Sequence, residues 1–266
     1  MVDVSEDVAM RRTAADVAER LGTASVVVAN AGVAEGGPFA ESDPATWRRV
    51  AGVNLVGSAV TARTFLPHLL AHQGYYLQVA SLASLAPSPL MSAYSAAQAG
   101  FESFARALQA ELAPRHVAVG IAYLNRIDTE LTRSANEHAV MRELRAGLPW
   151  PARDVGRGPA VAARLATAAE RRSGAVYMPG WLRAIQVGRA AVPAAVTRTA
   201  RRRLPKMSAR GDAAADGPAR SGRPVRARPA GCRGVARRHS GWGSPAAVPD
   251  DLSYAGQRLA DPPCGA

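Results

Sequence analysis

Val26-Val27-Val28-Ala29-Asn30-Ala31-Gly32 is the stretch on which the fold of this 266-residue chain turns. Four unbroken apolar residues, three of them β-branched, run into a polar turn that contains glycine. They read as a short strand buried on both faces, the kind that parallel sheets use. Upstream, Glu6 to Leu21 reads as a helix, with Val8, Ala15, Val17, Ala18 and Leu21 apolar and Ser5 as its N-cap. Downstream, Ser42 or Asp43 caps a long helix that carries Trp47, Val50, Val53, Leu55, Val60 and Phe65 to about His72. Tyr75 to Ala80 is a second strand, Ser92 to Leu112 a helix closed by Pro114, and Val117 to Tyr123 a third strand. Asp154 to Arg171 is again helical, and Ala175 to Met178 is a last short strand before Pro179-Gly180. Strands separated by helices of this length predict βαβ units and an α/β fold with a doubly wound parallel sheet.

Charge separates this body from the C-terminal part of the chain. From Arg198 to His239 there are twelve arginines and Lys206 against Asp212 and Asp216, which places +11 of the chain's net +12 in one stretch. Residues 1–197 hold 19 arginines against 16 acids, so the high isoelectric point says little about the body. In residues 198–266 Gly and Pro make up 17 of 69 while Leu, Val, Ile and Phe make up six, too little apolar surface to offset the entropy of ordering. Disorder is expected there, and the domain reading is 1–180 for the body, 181–206 for a basic amphipathic segment and 207–266 for a disordered tail. Cys232 and Cys264 both lie in the tail, which excludes a disulfide framework or cysteine zinc site in the body. The histidines are scattered without metal-ligand spacing, so no metal site is expected. Acidic residues at Asp3, Glu6 and Asp7 argue against a signal peptide, and a cytoplasmic location is the expectation.

Open α/β sheets bind ligands at the carboxyl ends of their strands. Three such ends are polar here: Asn30-Ala31-Gly32, Ser81 to Ser84, and Asn125 to Thr129. Tyr94 follows Ser81 by thirteen positions, near the start of the next helix, so a hydroxyl and a phenol can meet at one edge. Ser81 can hold a carbonyl or hydroxyl oxygen and Tyr94 can move a proton to or from it. Such a pair also arises by chance, and spacing alone does not separate the two readings.

Together these residues resemble the short-chain dehydrogenase/reductase family. Asp3-Val4 is similar to the acidic-hydrophobic pair that the family places beside the adenine of its cofactor. Asn30-Ala31-Gly32 is similar to its turn under the cofactor, Asn54 to the helix asparagine of its proton relay, and Ser81 and Tyr94 to its catalytic serine and tyrosine. Ile127 and Thr129 resemble the segment where a threonine holds the nicotinamide amide. The resemblance implies a Rossmann-type sheet, NAD or NADP as cofactor, a small alcohol or carbonyl substrate, and a homodimer formed through the long helices. It implies Tyr94 as acid/base, Ser81 orienting the substrate, Asn54 holding a relay water, and Asp3, Val4, Asn30, Ala31, Gly32, Ile127 and Thr129 at the cofactor.

Three departures accompany it. Only two residues precede Asp3, so the first three family strands and the Gly-rich phosphate turn have no counterpart, and the Val26 to Ala29 strand is expected to expose an unpaired edge. Gln98 stands where the family has its catalytic lysine, four residues after the tyrosine, and the body contains no lysine at all. Moving a tyrosine from a pKa of about 10 to about 7 takes roughly 4 kcal/mol, which a neutral amide does not supply. Leu124-Asn125 stands where the family usually has Pro-Gly. The expected function is therefore oxidoreductase by descent, impaired in this chain. The alternatives are a noncatalytic remnant that binds a partner through its sheet edge, and nonspecific nucleic-acid or membrane-surface binding through the basic C-terminal part. For the last, Trp181, Leu182, Ile185, Val192 and Val196 form one apolar face among arginines, interrupted by Pro193.

Overall fold

The computed structural model describes residues 2–129, 132 and 150–214, with the side chains of 203 and 205–214 outside the description. Four parallel strands, β1 (Val26–Ala29), β2 (Tyr75–Ser81), β3 (Ala118–Leu124) and β4 (Ala175–Met178), form one sheet in that order. Helix α1 (Asp7–Leu21) precedes β1. Helices α2 (Pro44–Ala51) and α3 (Gly57–Ala71) connect β1 to β2, α4 (Ser92–Leu112) connects β2 to β3, and α5 (Gly158–Glu170) precedes β4. Helices α6 (Leu182–Val187) and α7 (Val192–Ala214) complete the described chain.

Alternation along the strands sends side chains to two cores. On one face Val27, Tyr76, Ile121 and Tyr123 pack with Leu69 of α3, Phe101 and Ala105 of α4, and Leu182 of α6. On the other, Tyr75, Leu77, Ala122, Leu124 and Met178 pack against Val161 and Leu165 of α5. Helices thus cover both faces, as the βαβ pattern requires. Coverage of the second face ends at β1, an edge strand whose Val26 and Val28 are 46% and 47% exposed. The expected open edge is present in this sheet, and β1 is buried on one face only, not on both as its unbroken apolar run predicts.

Four local expectations need correction. Ser5 does not cap α1: its N–H and hydroxyl both donate to Asp3 Oδ1, at 2.9 and 2.7 Å, and Glu6 occupies the cap position without a side-chain bond. The long helix after β1 is not uniform. Asp43 caps α2 by accepting from Ala45 N at 2.8 Å, but a π-helical turn, Gly52–Val56, separates α2 from α3. The helix expected from Asp154 begins at Gly158, because residues 154–156 are tied to the end of β3: Asn125 donates to Asp154 O, and Gly156 N donates to Arg126 O. In the C-terminal segment the break falls at residues 188–191, and Pro193 lies in the first turn of α7, where a missing N–H costs nothing.

Residues from Arg198, expected to be disordered, are helical in backbone as far as Ala214. A count of apolar residues registers burial but not helix propensity, which favours the Ala and Arg that dominate here. The remainder of the disordered-tail expectation, including both cysteines, lies outside the described residues. Leu182 is fully buried, and Trp181 and Ile185 pack on the first core, so the start of the expected membrane face is covered by the body itself. Among the described residues no helix is long and apolar enough to cross a membrane.

Candidate active site

Register sets the geometry of the site. Ala29 pairs opposite Gln78, and Ser81 opposite Leu124, which in turn lies opposite Met178. β1 therefore stops three positions (81 − 78) short of the end of β2, and Asn30-Ala31-Gly32 leave the sheet beside the last residues of β2. Asn30 and Ala31 are exposed, and Gly32 too lies at the surface side of the turn.

The turn is held by Asn54. This residue is 2% exposed in the π-helical turn, and its side chain spends both groups on one backbone unit: Val33 N donates to Oδ1 at 2.8 Å, and Nδ2 donates to Val33 O at 2.9 Å. A Cβ on Gly32 would stand 3.3 Å from Asn54 Oδ1, so a side chain there would press on the carboxamide. The main-chain carbonyl of Asn54 accepts from Ser58 Oγ at 2.7 Å. The two bonds to Val33 leave the Asn54 side chain one N–H and one oxygen lone pair. A π turn adds one residue to the helix and re-aims the side chain at that point, an arrangement frequent at functional sites.

Val4 packs below the same turn, where a Cβ on Gly57 would stand 2.6 Å from Val4 Cγ2, so only glycine admits this approach. Asp3 is exposed, and hydrogen bonds from Ser5, the main-chain one foremost, hold its carboxylate below the usual range. Val4 is thus joined to the Asn54 turn, while Asp3 is engaged with Ser5.

At the end of β2, every main-chain polar group of Ser81 is held. Its N–H donates to Gln98 Oε1 at 2.8 Å, and its carbonyl accepts from Ser84 Oγ at 2.7 Å. Its hydroxyl oxygen accepts from Ala83 N at 3.2 Å, capping a short 3-10 turn. A hydroxyl that accepts in this way still has its own proton to donate. Tyr94 lies half-buried in the first turn of α4, one helical turn before Gln98, which is 6% exposed. Ile127 packs with the second core, and Thr129, exposed, accepts from Thr132 N at 3.3 Å.

Residues 1–140, just over half of the chain, match the family described as short chain dehydrogenase. The chain belongs to the short-chain dehydrogenase family. It is 36% identical over 107 residues to a meso-2,3-butanediol dehydrogenase of Serratia marcescens, covering 40% of this chain and 43% of that protein. It is 34% identical over 124 residues to a (-)-trans-carveol dehydrogenase of Rhodococcus erythropolis, covering 45% and 44%. The matched part spans under half the length of these two relatives. Among solved structures, a gluconate 5-dehydrogenase from Burkholderia cenocepacia J2315, in complex with NADP and tartrate, superposes with a TM-score of 0.60 at 21% identity, covering 69% of this chain and 74% of that one. That likeness concerns the fold.

Sequence reasoning missed three supports of the candidate site. Gln78, buried inside an otherwise apolar strand, lies 3.2 Å from Ser58 Oγ through Nε2 and accepts from Tyr76 OH at 2.9 Å. Glu102, 2% exposed and one turn beyond Gln98, accepts from Tyr123 OH at 2.7 Å, Arg106 Nε at 3.2 Å and Arg189 Nη1 at 3.1 Å. Burial, with the Glu102 carboxylate second, pushes the Tyr123 phenol far up. Asn125, where the family usually has glycine, donates through Nδ2 to Ala152 O and Asp154 O at 3.2 and 3.0 Å and so braces residues 152–154 against the end of β3. The signals were a lone amide in an apolar strand and a Tyr94, Gln98, Glu102 spacing of four along one helix face.

Proposed function

We propose that this chain carries the reaction centre of an NAD- or NADP-dependent oxidoreductase that interconverts small alcohols and carbonyl compounds. The observation that supports this reading best is the state of Ser81: backbone fixed on both sides, hydroxyl oxygen engaged, hydroxyl proton available at the carboxyl edge of the sheet. Tyr94 on the adjoining helix supplies the ionisable group. The Asn30-Ala31-Gly32 turn, drawn in against Asn54 where a Cβ would crowd, fits the nicotinamide end of a dinucleotide, with Ile127 and Thr129 following the end of β3. When bound, the nicotinamide supplies or takes up the hydride.

The protein's part is the proton. In reduction, Tyr94 donates its phenolic proton to the carbonyl oxygen while Ser81 donates a hydrogen bond to the same atom; in oxidation, the tyrosinate takes the proton back. Gln98 is a neutral amide, so position 98 offers no positive charge to stabilise the tyrosinate that oxidation requires. The test is turnover of a panel of secondary alcohols and ketones, followed at the nicotinamide absorbance with each cofactor. Tyr94→Phe is expected to lower kcat by roughly 10² to 10⁴, and Ser81→Ala by roughly 10². Activity that survives Tyr94→Phe undiminished would overturn the assignment.

A further inference from the structure

The role of position 98 is legible in its contacts. Gln98 is buried, and its amide oxygen accepts the Ser81 N–H at 2.8 Å across a separation of 17 residues. β2 ends at Ser81, where the chain turns from strand into the 3-10 turn Leu82–Ser84. The Ser81 N–H is thus the last hinge between sheet and loop, and Gln98 is its partner from α4. Rotation of that peptide unit would swing the Ser81 hydroxyl along the sheet edge. An ammonium group cannot replace the amide in this contact, because it has three donors and no acceptor. One turn further along α4, Glu102 Oε2 is buried and, among the described residues, has no hydrogen-bond partner. Residues four apart on a helix are neighbours. A cation placed at 98 would meet that carboxylate and be drawn away from Tyr94.

We propose that Gln98 is a positioning residue: its amide oxygen clamps the Ser81 N–H and thereby aims the substrate-orienting hydroxyl, so position 98 in this protein calls for a hydrogen-bond acceptor and not for a positive charge. The clamp stands on the geometry alone; its consequence for catalysis rests on the tyrosine–serine reading of the site.

Two measurements on the full chain separate these parts. The first is amide hydrogen exchange at Ser81, read by NMR on uniformly 15N-labelled protein. Protection is expected to fall at least tenfold in Gln98→Lys and Gln98→Leu and to persist in Gln98→Glu, while the amides of Leu77 and Ile121 in β2 and β3 keep theirs. Gln98→Asn, which withdraws the oxygen by one methylene, gives the same readout with a smaller change if the larger substitutions do not fold. Unchanged Ser81 protection in folded Gln98→Leu, or in Gln98→Asn where only that variant folds, overturns the clamp. The second is the kcat and KM split for a secondary alcohol at pH 7. Gln98→Lys is expected to lower kcat/KM at least tenfold, despite its charge, with Gln98→Glu retaining more of the ketone-reduction rate than Gln98→Leu. A tenfold or greater gain in oxidation with Gln98→Lys overturns the inference while leaving the tyrosine–serine site standing. Turnover absent from every form, or unaffected by Tyr94→Phe, together with the expected exchange pattern, instead rejects the functional reading and leaves the clamp in place.

Discussion

Two polar clusters lie one turn apart on the same face of α4, and they are made of opposite materials. Around Glu102 the contacts are charged: one buried carboxylate receives Tyr123, Arg106 and Arg189, and through Arg189 it ties the turn after α6 to the body. Around Gln98 they are neutral: an amide, a backbone N–H and, through Ser84, a hydroxyl. The charged cluster has its carboxylate in the interior and pins a distant segment. The neutral one lies at the sheet edge and fixes the conformation of one residue. Along this face of α4 the ionic contacts of Glu102 thus stand one turn beyond the neutral amide that neighbours the tyrosine on the helix.

The largest effect that would break this contrast is on turnover. Tyr94→Phe should remove at least two orders of magnitude of kcat, whereas Glu102→Gln, one cluster away, should leave the shape of the pH–rate profile unchanged. A profile that shifts with Glu102→Gln would mean that the two clusters are one electrostatic unit.

Stability should respond in the reverse order. Glu102→Leu deprives Tyr123 and two arginines of their acceptor, and hydrogen bonds to charged groups contribute about 2 kcal/mol each. Because Arg106 and Arg189 are 43% and 47% exposed and regain water, the expected loss is that of the buried Tyr123 contact alone, about 2 kcal/mol in urea unfolding. Asp43→Ala, which removes the cap of α2, should cost about 1 kcal/mol by the same measurement.

A smaller effect separates the two cores. Burial pushes the Tyr75 phenol up to about 12, and its hydroxyl donates to Ser173 O at 2.8 Å. The folded state therefore holds a proton that the unfolded chain releases near pH 10, so this contribution is complete below about pH 10 and is lost as pH rises toward 12. Tyr75→Phe should flatten the alkaline fall in urea midpoint over that window. An equal fall in both forms would place the titrating group elsewhere, with Tyr76 and Tyr123, both also raised by burial, as the next to test.

What the sequence disclosed and what it concealed divide along a physical line. β1 and α4 were legible to the residue because a β-branched run and a proline stop are local signals. The π turn was not, since Gly52 to Val56 keep an apolar helical pattern and the extra residue shows only in the hydrogen bonds. Asn54, Ser81 and Tyr94 were legible as residue types at a spacing. Their supports were not, because Asn54 meets Val33 across 21 positions and Glu102 meets Arg189 across 87, contacts that only the folded chain creates. The helical stretch beyond Arg198 escapes a count of apolar residues because propensity does not depend on burial.

The pH dependence of alcohol oxidation by the unaltered chain tests the tyrosine–serine site most directly. Oxidation needs the tyrosinate as its base, and the neutral amide at 98 offers that anion no positive charge. Oxidation should then be faster at pH 10 than at pH 7, while ketone reduction, which uses the phenol as acid, gains nothing over the same range. A rate of oxidation that is already maximal at pH 7 and flat to pH 10 would contradict Tyr94 as the acid/base beside a neutral amide and, with it, the assignment of the neutral cluster as the reaction centre.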